Sequence, residues 1–312
     1  MGHILQTEAW AKLQESLDRT VVRDSGDGWR YQAFLERGKL NSRLYCPYGP
    51  ELDTPEALAP ALASLTAQAK RLGAAFVRLE PTGPGAEQDL AAAGLKRVAR
   101  VQPEHTQRID LSRPFDELML DMRKTNRNLH RNFAKKGLTV RTSHDPAEIE
   151  TLLGLLHGVA DQTGMHAHAD DYLRAQARAF LPTGVGTLYF VDLAGEEGEP
   201  AQTVASALIY DDAERRYYAH AAANYEHRKL APGTIIVSQM IEDAQAKGLR
   251  EFDLYGVVPP EVTDHAWTGF SEFKRSFGGT QHDYAGTWEK PVNPLSYGIY
   301  SLARKVIGGG RL

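Results

Sequence analysis

The stretch RKTNRNLHRNFAKKGLTVR, residues 123–141, gathers positive charge in a chain whose formal net charge is -4. Residues 123–136 contain six Lys or Arg side chains and no Asp or Glu. The apolar spacing around this stretch predicts one helix over residues 114–136. On that helix, four cations lie four residues apart and form a basic stripe: Arg123, Arg127, Arg131 and Lys135. Like charges at this spacing repel each other, so the stripe predicts either a solvated helix face or a site for phosphate groups.

The composition limits the class of protein. At 312 residues the chain is long enough for two ordinary domains or one large one, and 42% hydrophobic with 24% charged residues is typical of a soluble globular protein. The negative net charge argues against a protein that coats nucleic acid, so RNA contact would need a local patch. Cys46 is the only cysteine, which excludes an internal disulfide and fits a reducing compartment. No apolar run approaches about 18 residues, and the N-terminus lacks signal-peptide features, so we expect no membrane span and no secretion signal.

The residue pattern predicts alternating strands and helices throughout. Residues 21–38 predict two strands around the turn DSGDG, and residues 54–73 predict an amphipathic helix. Three strands are expected between residues 186 and 223, followed by a helix starting near Pro232. The segments LTAQAKRLGAAFVRLEP and IEDAQAKGLREFDLYGV each pass from a helix through a glycine into a strand, which indicates an internal duplication. We therefore predict a mixed α/β fold of two similar units, with a boundary near residues 142–148.

Several longer motifs identify a family that the chain resembles. The segment from 101 to 141 matches one family motif at Pro103, Thr106, Asp110, Met122, Arg127, Asn128, Arg131, Ala134, Lys135, Lys136 and Gly137. LQTEAWAKLQ, LYCPYGP and GFSEFKRSFGGTQHDYAGTW match three more in the family's order. The chain thus resembles the FemABX family of aminoacyl-tRNA-dependent peptidyltransferases, which build the cross-bridges of peptidoglycan.

The resemblance implies two tandem GNAT-like α/β domains with a substrate cleft between them. Residues 1–145, completed by 285–312, would form the first domain, and residues 146–284 the second, without the coiled-coil arm of some relatives. The donor would be aminoacyl-tRNA, and the acceptor the stem peptide of UDP-MurNAc-pentapeptide or lipid II. No cofactor, resident metal or DNA partner is implied. A cytoplasmic enzyme that can contact the inner face of the cell membrane is expected.

The resemblance also implies a catalytic pair, Lys274 and Asp110, expected to line one site. Lys274, in the motif FKRSFG, would stabilise the developing oxyanion, and Asp110 would orient or deprotonate the attacking amine. The residues themselves leave plainer alternatives open. SEFKRSF alternates like a strand with Lys274 pointing outward, and Asp110 precedes a helix as a cap or turn residue does.

Further residues fall where relatives contact substrate. The acceptor-binding candidates are Phe273, His105, Trp10, Lys12, His168 and Tyr172, and the tRNA or phosphate candidates are Arg123, Arg127, Arg131 and Lys135. Trp10 and Lys12 equally suit a plain amphipathic helix. Many relatives carry an arginine where this chain has His168, so a diphosphate contact made by His168 would depend on pH.

Three other readings remain open. HAHADD, with His166, His168, Asp170 and Asp171, resembles a metal site but lacks a second ligand cluster. An acyl-CoA-dependent GNAT enzyme of cell-envelope or polysaccharide synthesis would need a pyrophosphate loop, and its nearest match is RKLAPG at 228–233. There Ala231 replaces a glycine and Pro232 lacks an N–H donor. A non-catalytic module that binds cell-wall precursors would not need Lys274.

Overall fold

The chain is seen in a computed structural model that describes residues 2–38, 41–83, 87–164, 168–196 and 199–308. It divides into two compact units, Met1–Glu104 with Asp283–Leu312, and His105–His282. Each unit contains a seven-stranded sheet with helices packed on it. The predicted mixed α/β fold of two units is confirmed.

The first unit is built around a sheet whose strand order is β1-β2-β3-β5-β14-β6, with β4 paired to β2. Its strands are β1 (Val21–Gly26), β2 (Trp29–Arg37), β3 (Ser42–Cys46), β4 (Glu51–Leu52), β5 (Phe76–Leu79), β6 (Lys96–Arg97) and β14 (Trp288–Pro291). Its helices are α1 (Glu8–Ser16), α2 (Leu58–Arg71), α3 (Glu87–Ala92) and α10 (Pro294–Gly308). The predicted hairpin of β1 and β2 is confirmed, and Gly28 in its turn has a φ of 72°, which favours glycine.

The second unit has the strand order β13-β7-β12-β11-β10-β9-β8. Its strands are β7 (His105–Asp110), β8 (Leu138–Ser143), β9 (Gly186–Leu193), β10 (Gln202–Asp211), β11 (Arg215–Ala223), β12 (Glu251–Gly256) and β13 (Thr280–Asp283). Its helices are α4 (Phe115–Asp121), α5 (Lys124–Asn132), α6 (Ile149–Thr163), α7 (Asp170–Phe180), α8 (Pro232–Ala246) and α9 (Thr268–Arg275). The helix predicted to start near Pro232 is α8, and it buries Ile235, Met240 and Ala244 in the main core of this unit.

The boundary between the units requires a correction. The boundary expected near residues 142–148, and with it the division into 1–145 and 146–284, falls inside the second unit. The reason is that β7 pairs with β12, which lies far downstream, so the chain enters the second sheet at His105. The C-terminal segment clusters with the first unit because β14 pairs with β5.

The long basic helix also requires a correction. The helix expected over residues 114–136 is interrupted at Met122 and Arg123, whose backbones are extended, with ψ near 151° and 142°. It therefore consists of α4, α5 and a short 3-10 turn at Phe133–Lys136. Among the residues that the structure describes, no helix is both long and apolar enough to cross a membrane.

Candidate active site

Two parallel strands of the second unit separate where the candidate site lies. Strands β11 and β12 pair only as far as Tyr217 and Asp253, although β11 continues to Ala223 beside β10. Beyond that point β12 bulges, because its pairing with β7 passes from Asp253 directly to Gly256. Tyr255 in the bulge has a φ of 65°, a left-handed conformation that is rare for a bulky residue. Bulges of this kind re-aim side chains and are common beside active sites.

The bulge is held by Asp253, whose side chain is fully buried. One carboxylate oxygen accepts the backbone N–H of Tyr255 at 2.7 Å, which stabilises the left-handed residue. The other accepts Nε of Arg108 at 3.3 Å. Burial raises the pKa of Asp253, while the positive charges of Arg108 and Arg215 act to lower it. The buried carboxylate thus stands opposite several cations.

One of those cations is Lys274, on α9. Only 1% of its surface is exposed, its Nζ donates to the carbonyl oxygen of Gly256 at 2.9 Å, and the centroid of the Phe270 ring lies 3.8 Å from Nζ. Burial lowers the pKa of Lys274 well below its ordinary value, and the charge of Asp253 partly offsets this. The plainer expectation of an outward lysine on a strand was wrong, because the segment is helical and the side chain points inward.

Helix α9 is fastened to the chain that follows β12. Ser271 Oγ accepts the backbone N–H of Val258 at 3.0 Å, and the guanidinium of Arg275 donates to the Val258 carbonyl. Ser271, Lys274 and Arg275 are three and four residues apart, so they share one face of the helix. This face fixes the position of the Lys274 ammonium against the bulge.

The basic segment adjoins the end of α9. The backbone N–H of Arg123 donates to the Ser276 carbonyl at 2.8 Å, and Asn126 Nδ2 donates to Ser276 Oγ at 2.8 Å. These bonds join the start of α5 to a residue two positions after Lys274. The predicted lysine and the predicted basic segment are therefore neighbours within one unit.

The members of the basic stripe have different roles. Arg127 Nη1 donates to the carbonyls of Leu120 at 2.9 Å and Met122 at 2.7 Å, so it satisfies the C-terminal end of α4. Arg123 and Arg131 are exposed. The exposed Lys135 donates to Asn132 Oδ1 at 2.7 Å. The side chains of the stripe that face solvent are therefore Arg123, Arg131 and Lys135, whereas Arg127 makes hydrogen bonds within the fold.

The structure separates Asp110 from Lys274. Asp110 lies opposite Glu251 at one end of the β7–β12 pair, and Thr106 lies opposite Gly256 at the other. The four residue steps from Thr106 to Asp110 correspond to about 13 Å along the strand. Asp110 is exposed and accepts the backbone N–H of Ser112 at 2.9 Å, and this bond lowers the pKa of Asp110. The expectation that Asp110 and Lys274 line one site is therefore wrong. Strand β7 ends at Asp110, so this residue lies in the turn at the opposite end of the strand from the Gly256 carbonyl that Lys274 contacts.

His105 lies at the Lys274 end of β7. Its carbonyl accepts the backbone N–H of Val257 at 2.8 Å, next to the carbonyl that Lys274 contacts. Phe273, the neighbour of Lys274, is partly buried against the core of the second unit, and its ring packs edge-on to Phe277 at 5.2 Å. His105 thus remains near the lysine, while Phe273 serves packing.

His168 and Tyr172 lie in a separate aromatic cluster. The ring of His168 is 5.5 Å from Tyr172 and 5.4 Å from His220, and His220 Nε2 is 3.1 Å from Gln176 Oε1. The same Gln176 oxygen accepts the hydroxyl of Tyr210 at 2.5 Å, so His220 Nε2 carries the proton of that bond. Burial lowers the pKa of His220 to about 3 and lowers the pKa of His168 below its ordinary value. Neither ring therefore supplies the fixed positive charge of the arginine found in relatives.

Trp10 and Lys12 belong to α1 of the first unit. Trp10 is buried, and Thr7 Oγ1 accepts its backbone N–H at 3.4 Å as the cap of the helix. Lys12 is exposed on the opposite side. This arrangement is that of an amphipathic helix packed on its own unit. Within the described part of the chain, no cluster of three His, Cys, Asp or Glu side chains could hold a metal ion, and His166 lies outside that part.

The start of α8 is poor in free backbone donors. Ala231, with a φ of 50°, donates its N–H to the Arg228 carbonyl at 3.1 Å. Pro232 has no N–H, and Thr234 donates to the Ala231 carbonyl at 3.0 Å. A coenzyme A pyrophosphate needs several such donors at a helix start. The loop at residues 228–233 therefore provides few free backbone N–H donors for the pyrophosphate of coenzyme A.

Comparisons with known proteins find a GNAT domain and similarity to two Fem proteins. A model described as an acetyltransferase (GNAT) domain matches residues 121–275, which include α5, β12 and Lys274. Aminoacyltransferase FemA of Staphylococcus epidermidis is 27% identical over 115 residues, which cover 37% of this chain and 27% of FemA. The crystal structure of FemX superposes with a TM-score of 0.84 at 19% identity, covering 96% of this chain and 94% of FemX. The chain is thus similar in sequence to FemA over about a third of its length and similar in fold to FemX.

The similarity to FemX agrees with the two-unit architecture. A tandem GNAT protein from the clavulanic acid biosynthesis pathway has a TM-score of 0.53 at 14% identity, covering 88% of this chain and 83% of that protein. The two sheets of the present chain are thus the two GNAT-like domains that the FemABX resemblance implied. The match to FemA spans only about a quarter of FemA.

Proposed function

We propose that this protein is a FemABX-family aminoacyltransferase, which moves an amino acid from aminoacyl-tRNA to the stem peptide of a peptidoglycan precursor. The observation that carries the proposal is the buried Lys274, held at a strand bulge in a GNAT domain of this family. Similarity to FemA and FemX supports acyl transfer in peptidoglycan synthesis. The tRNA donor, the third residue of the stem peptide as acceptor, and a cytoplasmic location are parts of the proposal.

The chemistry assigned to Lys274 is stabilisation of negative charge. An amine of the stem peptide forms a C–N bond with the ester carbonyl carbon, and the carbonyl oxygen becomes an oxyanion. Collapse of this intermediate breaks the C–O bond, the ribose hydroxyl leaves with a proton, and the amine loses one. An ammonium has three N–H donors, and Lys274 gives one to Gly256, so two remain for the oxyanion or the leaving oxygen. One such donor is worth about 3–4 kcal/mol in the transition state.

The exposed cations of α5 and its flanks are assigned to the phosphates of the RNA. Arg123 and Arg131 are exposed, and the bond from Arg123 to Ser276 places this face beside the helix that carries Lys274. Phosphate contacts of this type position a nucleic acid without reading its sequence. His105, near the bulge, and the aromatic cluster around His168 and Tyr172 are the candidate contacts for the acceptor.

The decisive assay offers both donors to one enzyme. Purified protein is incubated with UDP-MurNAc-pentapeptide, labelled amino acids, total tRNA and aminoacyl-tRNA synthetases, and the labelled precursor is identified by mass spectrometry. We expect transfer that ribonuclease abolishes. Transfer from acetyl-CoA in the absence of tRNA would instead favour the acyl-CoA enzyme, against which the donor-poor start of α8 argues. Binding of the precursor without transfer from either donor would favour a non-catalytic module.

A further inference from the structure

The C-terminal helix α10 is fixed to the first unit by one face. Tyr297 and Tyr300 pack against Phe76, with ring centroids 5.3 and 4.8 Å apart. The buried Glu289 accepts the hydroxyl of Tyr297 at 2.9 Å and lies 3.7 Å from the guanidinium of Arg304. Residues 297, 300 and 304 follow helical spacing, so these contacts set the rotation of α10 about its axis.

The opposite face of α10 is apolar and exposed. Leu295, Ile299 and Leu302 have 78%, 58% and 66% of their surfaces exposed. They lie four and three residues apart and so form one continuous row along the helix. Single exposed aliphatic side chains are ordinary on protein surfaces, but a contiguous row marks an interaction surface.

The sequence of the C-terminal segment that contains this row is basic. After Glu289 the chain contains Lys290, Arg304, Lys305 and Arg311 and no acidic residue, although the whole chain has a net charge of -4. A groove of about 360 Å³ runs beside the helix, and its lining includes Leu302, Tyr297 and the exposed Lys96. Aliphatic side chains beside cations are the signature of a helix that lies in the interface of an anionic membrane.

We propose that α10 docks this protein on an anionic lipid surface. Leu295, Ile299 and Leu302 insert among the upper acyl chains, and the exposed Lys96 in the groove beside the helix meets a headgroup phosphate. This surface belongs to the first unit, whereas the candidate active site belongs to the second, and the proposal does not depend on the proposed reaction. Docking there would bring the enzyme to lipid-linked acceptors.

A second copy of the chain is a less suitable partner for the exposed apolar face of α10 than a lipid surface is. A helix of 15 residues is about 22 Å long, so a face about 10 Å wide offers about 220 Å². A stable interface needs about 800 Å² from each partner. A symmetric pair would also bring two basic segments together, because both copies use the same patch.

The test measures cosedimentation of the full chain with vesicles of phosphatidylglycerol and phosphatidylcholine at about a 1:2 ratio, and with phosphatidylcholine alone. The test variant is Leu295→Gln/Ile299→Gln/Leu302→Gln, and the matched control is Leu120→Gln, an exposed leucine on α4. We expect salt-sensitive binding to the anionic vesicles, lowered about tenfold or more in the triple variant and unchanged in the control. Lys96→Glu should also weaken binding.

Two further measurements keep the outcomes distinct. Circular dichroism checks that the triple variant is folded, and transfer to the soluble UDP-linked precursor should equal that of the unmodified chain. Equal vesicle binding by the triple variant, or no vesicle binding by the unmodified chain, would overturn the proposal. A concentration-dependent dimer that only the triple variant loses would identify a second copy as the occupant instead.

Discussion

The Nζ of Lys274 lies 2.9 Å from the carbonyl oxygen of Gly256, at the bulge that Asp253 holds in place. A lysine with 1% of its surface exposed has lost nearly all of its hydration, which costs free energy unless other groups compensate. Here the Gly256 carbonyl, the face of Phe270 and the charge of Asp253 do so. Groups with such perturbed pKa values cluster at functional sites.

Replacing Asp253 should shift the pH dependence of transfer. The negative charge of Asp253 raises the pKa of Lys274 against the larger effect of burial, so Asp253→Asn should lower that pKa further. If transfer requires the protonated lysine, the plot of rate against pH has an alkaline limb where the rate declines as Lys274 loses its proton. In Asp253→Asn this limb should move to lower pH. Arg108 and Arg215 face the same carboxylate and remain in the variant. The measurement is the rate of single-turnover transfer against pH.

The control for this profile is Asp161→Asn, an exposed aspartate on α6, which should leave the limb in place. A purely structural Asp253 would lower the rate equally at every pH and leave the limb where it was. Movement of the acid limb instead would indicate that the neutral lysine acts as a base.

The basic stripe should divide into binding and structural members. Arg123→Glu/Arg131→Glu should weaken tRNA binding, and the loss of two phosphate contacts should reduce the slope of log affinity against log salt by roughly 1–2. Arg127→Ala should instead destabilise the fold by about 1–2 kcal/mol, because the carbonyls at the end of α4 lose their donor. Filter binding over a salt series and urea unfolding measure the two effects.

The matched control is Arg250→Glu, an exposed arginine elsewhere on the second unit. A loss of tRNA binding free energy in Arg250→Glu of about half that in the double variant, hence equal per reversed charge, would show that only overall charge matters. An unchanged affinity in the double variant would leave the stripe as a solvated helix face.

His220 should make the protein acid-sensitive. Its folded-state pKa of about 3 lies below the value of about 6.5 expected for the unfolded chain. As pH falls below about 6.5, His220 takes up a proton in the unfolded state but not in the folded state. The free energy of unfolding therefore falls by up to about 1.4 kcal/mol per pH unit. Above that pH the difference vanishes. His220→Gln should therefore flatten the decline in urea-unfolding free energy between neutral and acidic pH.

His157→Gln, an exposed histidine on α6, is the matched control and should keep the slope of the unmodified protein. A slope that is the same in His220→Gln and in the unmodified protein would mean that His220 protonates in the folded state without cost.

Local patterns predicted the elements of the fold better than their assembly. The β1–β2 hairpin and α8 follow from turn residues and apolar spacing that are local in sequence. The domain boundary depends on β7 pairing with β12, more than a hundred residues away, which no local pattern reveals. The break at Met122 likewise depends on Arg123 bonding to Ser276.

The same distinction applies to the candidate site. The motif FKRSFG located Lys274, but the alternation of SEFKRSF suggested a strand, whereas Phe270, Phe273 and Phe277 have the three- and four-residue spacing of a helix. Asp253 was not predicted. The sequence feature that could have indicated Asp253 is the presence of an acidic residue in the otherwise apolar strand FDLYG. A charge buried in such a strand needs a partner of opposite charge.

The central claim is that the buried ammonium of Lys274 stabilises the oxyanion of an acyl transfer from tRNA. Lys274→Met keeps the length of the side chain and removes the charge, and Lys247→Met, at a half-exposed lysine after α8, is the matched control. In a single-turnover assay with labelled aminoacyl-tRNA and UDP-MurNAc-pentapeptide, we expect Lys274→Met to lower the rate by about 10²–10³-fold, with binding of both substrates retained and Lys247→Met unaffected. A folded Lys274→Met protein that transfers the label at the unmodified rate would contradict the account.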